Sequence, residues 1–506
     1  MTRTGSPRPS LAAALAGALS ALLGAATGHL VAAATNPAAS PVLAVGSTVI
    51  DLTPTPVKEW AVARFGTADK PILVGSVLLG TLALAGIAGV LARRRYAVGA
   101  GLLTLLVGVA ALAALSRPTA VPLDGVPALV AALVGAATLR VLTPSGGTAA
   151  TSSEPGAGAS RRSVLVLAAA GAAAFAGAGQ WLAQARTRPS SVTLPPAADA
   201  APALPAGLER RYPGISALQT PVSEFYRVDT RLALPAVAVD DWELTIDGDV
   251  ARTVSFGFDE LAAMPLVERD ITLTCVSNEV GGQYVGAARW LGVPLADLLD
   301  RAGIGDGADQ LLSTDVDGFT ISTPLAVAMD GRDTMVALGM NGAPLPREHG
   351  FPARLVTPGV YGFVGATKWL RRLTVTTYAA QEAYWTKRDW ATEAPIKIAS
   401  RIDTPRPLAR IDTGDTVIGG VAWAQHRGIG GVEVRVDGGP WLPAKLGPDV
   451  GVDYWRQWYL PWRAEPGQHS LAVRATTLDG EVQTAARTTP FPAGSSGIQD
   501  VVVNVA

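Results

Sequence analysis

Cys275 is the only cysteine among 506 residues, so it has no partner within the chain for a disulfide. It sits in Ile271-Thr272-Leu273-Thr274-Cys275-Val276-Ser277-Asn278, an apolar, β-branched run that breaks into Glu279-Val280-Gly281-Gly282. That pattern predicts a strand delivering a thiol to the start of a loop, where sites are commonly built. A thiolate is a soft, strongly donating metal ligand. A lone cysteine also packs well as a small core hydrophobe, so its surroundings must decide between the two.

Those surroundings begin with composition. Forty-one basic residues balance 42 acidic ones, which leaves no strong positive field to recruit nucleic acid. The composition breaks near residue 190. Before it the chain is rich in Ala, Leu, Gly and Val; beyond it charges, Trp and Pro appear at globular density, over a length that suits two domains of ~100–200 residues. In the first part, 11–35, 71–92, 96–116, 122–141 and 163–185 are apolar enough to cross ~30 Å of hydrocarbon, which takes ~20 helical residues. The fourth is the weakest, because Asp124 and Arg140 trim its ends. Arg3 and Arg8, Arg93-Arg94-Arg95, and Arg161-Arg162 flank the odd-numbered spans. With these on the cytoplasmic side, a multi-pass region of about five helices (1–186) puts the C-terminal half, and the 36–70 loop, outside the cytoplasmic membrane. Ser160-Arg161-Arg162-Ser163-Val164-Leu165 resembles a twin-arginine export signal and reads equally well as positive flanking. A b-type haem needs two axial imidazoles, and this region holds only His29. No Cys-x-x-Cys-His is present either, so no haem is expected.

The Pro/Ala/Ser-rich stretch 187–207 reads as a linker. Between 208 and 392, short strands (242–248, 373–378) interleave with short helices (258–264, 294–302), which indicates an α+β domain. From 393 to 506 the period becomes two, at 419–424, 432–436 and 470–475, with turns at Asp437-Gly438-Gly439 and Asp479-Gly480. This predicts a small antiparallel β-sandwich of immunoglobulin-like type.

Four stretches then fall in a telling order. Thr274 to Asn278 is followed by Arg289-Trp290-Leu291-Gly292-Val293-Pro294-Leu295. Met340-Asn341-Gly342-Ala343-Pro344-Leu345-Pro346 leads into His349-Gly350-Phe351-Pro352-Ala353-Arg354. Pro358-Gly359 precedes Lys368-Trp369-Leu370 and Tyr384-Trp385-Thr386-Lys387-Arg388-Asp389. Gly420-Val421-Ala422-Trp423 comes last, with Val432-Glu433-Val434 and Asp437-Gly438-Gly439. In this order and spacing, residues 212 to 490 resemble the sulfite oxidase family of molybdenum enzymes. The resemblance implies an α+β molybdopterin-binding domain followed by an Ig-like dimerisation-type domain, and a possible homodimer. It implies that Cys275 ligates molybdenum beside the two sulfurs of a single pterin. His349, Arg354 and Lys368 fall on positions that hold the pterin and its phosphate, Tyr226 and Arg227 on an aromatic–arginine pair beside the metal. Asn278 matches an asparagine three residues past the ligand, and suits a turn as well.

The chain also departs from the family. Sulfite oxidisers carry an arginine five residues after the cysteine; here Val280 stands there, preceded by Glu279, which repels anions. An expected Arg-Asp-Tyr reads Arg388-Asp389-Trp390, replacing a titratable hydroxyl by an indole that only donates. Arg227 and Trp390 would then shape a less cationic, more aromatic pocket, suited to a neutral or organic substrate such as a sulfoxide. The reading is a membrane-anchored molybdopterin oxidoreductase that transfers oxygen atoms to or from a small substrate and exchanges electrons with a separate partner. A sulfoxide reductase of the same superfamily is one alternative; a cofactor-free membrane scaffold that binds through its sandwich is the other.

Overall fold

A computed structural model describes residues 9–65, 68–143, 161–186 and 192–506. Arg3, Arg8, Ser160, linker residues 187–191, and the side chains of Arg161 and Arg162 lie outside the described set. The chain forms two units: residues 1–188 with 229–236, and 189–228 with 237–506.

The first unit is helical: α1 Pro9–Ala34, α2 Pro41–Leu52, α3 Thr55–Phe65, α4 Asp69–Ala92, α5 Tyr96–Leu115, α6 Val126–Leu142 and α7 Arg161–Arg186. Five of its helical stretches are long and apolar enough to cross a membrane, at Ser10–Ala34, Asp69–Ala92, Tyr96–Leu115, Pro122–Leu142 and Leu165–Leu182. α1 is the hub, packing against α4, α6 and α7. Small residues make that possible. A Cβ on Gly17 would overlap the Ala85 carbonyl, and one on Gly89 the Ala13 carbonyl, so Ala13/Gly17 and Ala85/Gly89, each spaced by four, let two backbones touch. Leu79, Leu105 and Leu133 point outward, the arrangement of a bundle solvated by apolar surroundings. The 36–70 connection between the first two spans carries α2 and α3. Pro41 at the first turn of α2, with its fixed φ, suits that start.

The second unit is built on four sheets. Its strands are β1 Glu243–Gly248, β2 Val254–Gly257, β3 Val267–Thr274, β4 Val285–Pro294, β5 Gln310–Asp315, β6 Thr320–Pro324, β7 Met335–Met340, β8 Ala343–Pro344, β9 Arg354–Val356 and β10 Leu370–Thr376. They continue as β11 Ala399–Thr404, β12 Arg410–Ile411, β13 Gly414–Trp423, β14 Ile429–Val436, β15 Leu442–Pro443, β16 Lys445–Leu446, β17 Arg456–Ala464, β18 Gly467–Thr477 and β19 Gln499–Val505. One sheet runs β2-β1-β10-β5-β6; another runs β3-β4-β7-β8, with β9 also on β7. Trp242, Leu244, Leu298, Leu311, Leu338 and Leu373 fill the core these elements enclose.

The C-terminal strands form two sheets, β11-β13-β17-β16 and β12-β19-β18-β14-β15, with Ile418, Val434, Trp458, Leu471 and Val503 in one core drawn from both. In β14, Val432 and Val434 turn inward while Glu433 and Arg435 do not, the alternation of a half-buried strand. Its turn uses Asp437 and Gly438, both at positive φ (52° and 70°), as a tight hairpin turn requires. A third core mixes Val276, Val285, Tyr361 and Phe363 with Val421, Trp423, Tyr454 and Trp455, so the α+β part and the sandwich share buried surface. The described part of the expected linker is seated too: Val192 and Leu194 pack on the core, and Asp199 pairs with Arg269 at 2.8 Å.

Candidate cofactor site

β3 is apolar and buried over its last four residues, and it ends one residue before Cys275. The loop it opens is closed at once. The Cys275 N–H donates to the Tyr284 carbonyl (2.9 Å) and the Asn278 N–H to the Cys275 carbonyl (3.0 Å). The Asn278 side chain accepts from the Tyr284 N–H at 2.8 Å, so Asn278 acts here as the turn residue that shapes the thiol loop. Cys275 is buried. Burial pushes its thiol pKa up; hydrogen bonds from Ser277 and the nearby Lys368 charge pull the other way.

A cluster of cations and rings gathers around that thiol. His349 sits in a short 3-10 turn, and its Nε2 donates to the Val222 carbonyl at 3.3 Å. Burial, with Arg354 beside it, lowers its pKa to about 4, so the ring is neutral at pH 7. Arg354, at the start of β9, donates from Nη1 to the His349 carbonyl (3.0 Å) and lies 5.0 Å over the Trp290 ring. Burial lowers its pKa to about 10. Lys368 Nζ donates to the Glu348 carbonyl at 3.2 Å. Gly350, at φ 114°, brings the chain so close that a Cβ would meet Lys368 and Arg354 at 3.1 and 3.2 Å. Tyr226 stacks on Phe225 (5.3 Å between centroids), and Phe225 meets His349 edge-on at 5.4 Å. Tyr226 is partly buried, its hydroxyl pKa raised by burial and by Cys275. A Cβ on Gly362 would lie 3.8 Å from the Thr274 carbonyl and 3.9 Å from the Tyr226 hydroxyl.

Cys275, Tyr226, His349, Arg354 and Lys368 therefore converge, from four separate stretches of chain. The remaining expected residues sit differently. Arg227 is exposed. Trp390 stands in an aromatic group, 4.5 Å from Trp385, 5.1 Å from Phe363 and 5.8 Å from Phe491. Its indole N–H is buried without a partner.

Arg354 Nε, in the cluster, is buried with no hydrogen bond, as is Thr357 Oγ1 three residues further along the chain. A buried guanidinium costs several kcal/mol unless an anion compensates it. The arrangement is that of a receptor for an anionic, hydrogen-bonding group next to a thiol. Tyr361 is a further ring that sequence reasoning passed over; it is buried, and Cys275 contributes to raising its pKa to about 12. Thr274, Asn278, Glu279, Val280, Tyr361 and Ser495 are among the residues lining a cavity of about 20 Å³, enough for about one water. Among the described residues lining it, Glu279 is the one charged side chain.

Residues 231–385 match the family model for the oxidoreductase molybdopterin binding domain. The chain is similar to human mitochondrial sulfite oxidase, 32% identical over 302 residues that cover 49% of this chain and 54% of that protein. It is also similar to tomato NADH nitrate reductase, 28% identical over 51% of this chain and 35% of that one. The chain thus spans about half the length of the first curated relatives it matches. Among solved structures it resembles the sulfane dehydrogenase SoxCD from Paracoccus pantotrophus, with TM-score 0.51 and 26% identity, over 57% of this chain and 83% of that one. The matched stretch holds Cys275, His349, Arg354 and Lys368, so the chain carries an oxidoreductase molybdopterin binding domain and is similar to the sulfite oxidase family.

Proposed function

We propose that this chain is a membrane-anchored oxidoreductase whose single-pterin molybdenum cofactor transfers an oxygen atom to or from a small substrate other than sulfite, outside the cytoplasmic membrane. The observation that carries the reading is the buried Arg354 guanidinium with its open Nε, set in the same cluster as the one thiol of the chain. A pterin phosphate is the kind of anion that this pocket fits. When bound, the molybdenum supplies a two-electron couple. Cys275 would anchor it; Arg354, Lys368 and Thr357 would bind the pterin and its phosphate; Tyr226 and neutral His349 would wall the pocket and exclude water. In the oxidative direction substrate and water yield oxygenated substrate, two protons and two electrons, the electrons leaving to a separate redox partner; reduction runs in reverse.

The choice of substrate rests on Glu279. It is an exposed carboxylate in the thiol loop, four residues past Cys275, and an anion approaching that loop meets its charge. Aromatic Trp390 and Trp385 lie on the same core as Tyr361, which suits a neutral organic substrate such as a sulfoxide. The domains we infer are a membrane region to 186, a linker to 207, the catalytic domain to 392 and an Ig-like domain beyond, which offers a surface for a homodimer. No haem is assigned. Asn278 shapes the thiol loop, and Arg227 and Trp390 face the substrate.

The test is molybdenum and pterin analysis of the full chain, made in a host that synthesises the cofactor, beside Cys275→Ser. About one molybdenum per chain, with activity lost in the variant, is expected. Neither metal nor pterin in folded protein would sink the enzyme reading in favour of a scaffold.

A further inference from the structure

β3 is an edge strand: among the described residues β4 is the one strand paired with it, and on its other side an isolated bridge to Asp199 covers only its first residues. An open edge beside a metal-binding thiol would leave the last residues of the strand free to fray. The C-terminal sandwich closes it. The Thr272 N–H donates to the Asp453 carbonyl at 2.9 Å, and the Trp455 N–H donates to Thr272 Oγ1 at 2.9 Å. Gln425, just beyond the end of β13, reaches further along the same edge. Its Nε2 donates to the Thr272 carbonyl at 3.1 Å and to Thr274 Oγ1 at 2.9 Å. Thr274 is the residue immediately before Cys275. On the far side of the thiol, Ser495 Oγ donates to the Asn278 carbonyl at 2.6 Å.

The Gln425 amide is buried, with 2% of the residue exposed, and its Oε1 has no hydrogen-bond partner. An unmet buried acceptor is costly. Turning the amide over would set that oxygen against the Thr272 carbonyl, two acceptors face to face, and only the Thr274 hydroxyl could turn to donate to it. The side chain therefore keeps its N–H₂ on the strand and leaves its oxygen unmet.

We propose that Gln425 is a positioning residue for the Cys275 thiolate: the sandwich, through this amide and Thr274, fixes the direction in which the sulfur leaves the strand. Displacements of about 1 Å at a reacting centre can cost about a hundredfold in rate, so a clamp on the adjoining residue has a catalytic consequence without touching the metal. The proposal rests on Cys275 as the cofactor ligand.

The experiment uses the full chain and four variants: Gln425→Leu, Thr274→Val, Thr274→Ser, and Ile418→Val as a sandwich-core control. In cofactor-free protein, the rate of alkylation of the lone cysteine by iodoacetamide is expected to rise about tenfold in Gln425→Leu and Thr274→Val, as local opening becomes easier. Thr274→Ser, which keeps the hydroxyl, and Ile418→Val are expected to stay near wild type. In loaded protein the first two variants should keep their molybdenum content, show shifted Mo(V) electron paramagnetic resonance g values, and lose kcat more than KM. Alkylation rates and g values unchanged in both Gln425→Leu and Thr274→Val would overturn the proposal. If wild-type protein binds no molybdenum, the ligand reading fails by itself, and the alkylation rates still decide whether the clamp exists.

Discussion

A guanidinium held in a core with an open Nε is a binding site that is expensive to keep empty. Replacing Arg354 by Met removes a buried charge and keeps the chain's volume. Cofactor-free Arg354→Met should therefore melt higher than wild type by the equivalent of ~1–3 kcal/mol, while pterin recovered from loaded protein falls about tenfold or more. Thermal melting and pterin fluorescence check the two halves. His349 adds a pH signature. Its folded pKa is about 4 against 6.5 for an unperturbed imidazole, so between these values the unfolded chain takes up a proton that the folded chain refuses. The stability from this residue is complete above pH 6.5 and is lost as pH falls toward 4, on the order of 2 kcal/mol after solvent screening. Melting curves of the cofactor-free protein across pH 4–7 should show the loss, and His349→Gln should flatten it. These residues were legible because each sits in a short local motif, Thr-Cys-Val-Ser-Asn or His-Gly-Phe-Pro-Ala-Arg. Thr357 and Gln425 carried no such signal. Gln425 stands 150 positions past Cys275, just beyond the end of β13, and only folding brings a glutamine amide to that strand.

Elements were legible where period and punctuation agreed. The thiol strand, the 295–302 helix ending at Gly303 with φ 69° and the Asp437-Gly438 turn all follow from local rules. The 36–70 connection between spans carries two short helices that no sequence signal announced: α2 is an apolar run of 12 residues, and α3 holds Lys58, Glu59 and Arg64. The crossing of α1 and α4 shows a different limit. Composition marks both helices as apolar, but only packing shows which glycines matter. Gly89 meets the α1 backbone, whereas a Cβ on Gly75 or Gly80 of the same helix meets nothing within 4 Å. Gly89→Leu should lower the detergent-solubilised melting temperature of the first unit by several degrees, because overlap with backbone cannot be relieved by rotamer change. Gly75→Leu and Gly80→Leu should leave it near wild type.

At the scale of the molecule, the sequence divides the second half into a catalytic domain and an accessory sandwich near residue 392, and a period change from mixed to two invites that cut. Packing runs across it. Val276 and Tyr361 share a core with Trp423 and Trp455, Trp455 Nε1 donates to the Leu218 carbonyl at 2.7 Å, and Arg401 Nη1 donates to the Gly282 carbonyl at 2.9 Å. The two hydrogen bonds join residues 237 and 119 positions apart, which is why no window of sequence displays them. Two domains meeting over a modest polar interface would unfold separately. Surface this apolar and this buried should instead make one cooperative unit. Hydrogen exchange at Leu244 and Ile246 in β1 and at Val473 in β18, followed through increasing denaturant, is expected to lose protection at one shared midpoint. Separate midpoints would restore the sandwich to an appendage. A single one means that global unfolding exposes the sandwich and the loop that carries Cys275 together, so Trp458→Ala lowers the global protection of both by the same free energy, while local opening of that loop stays with its own clamp.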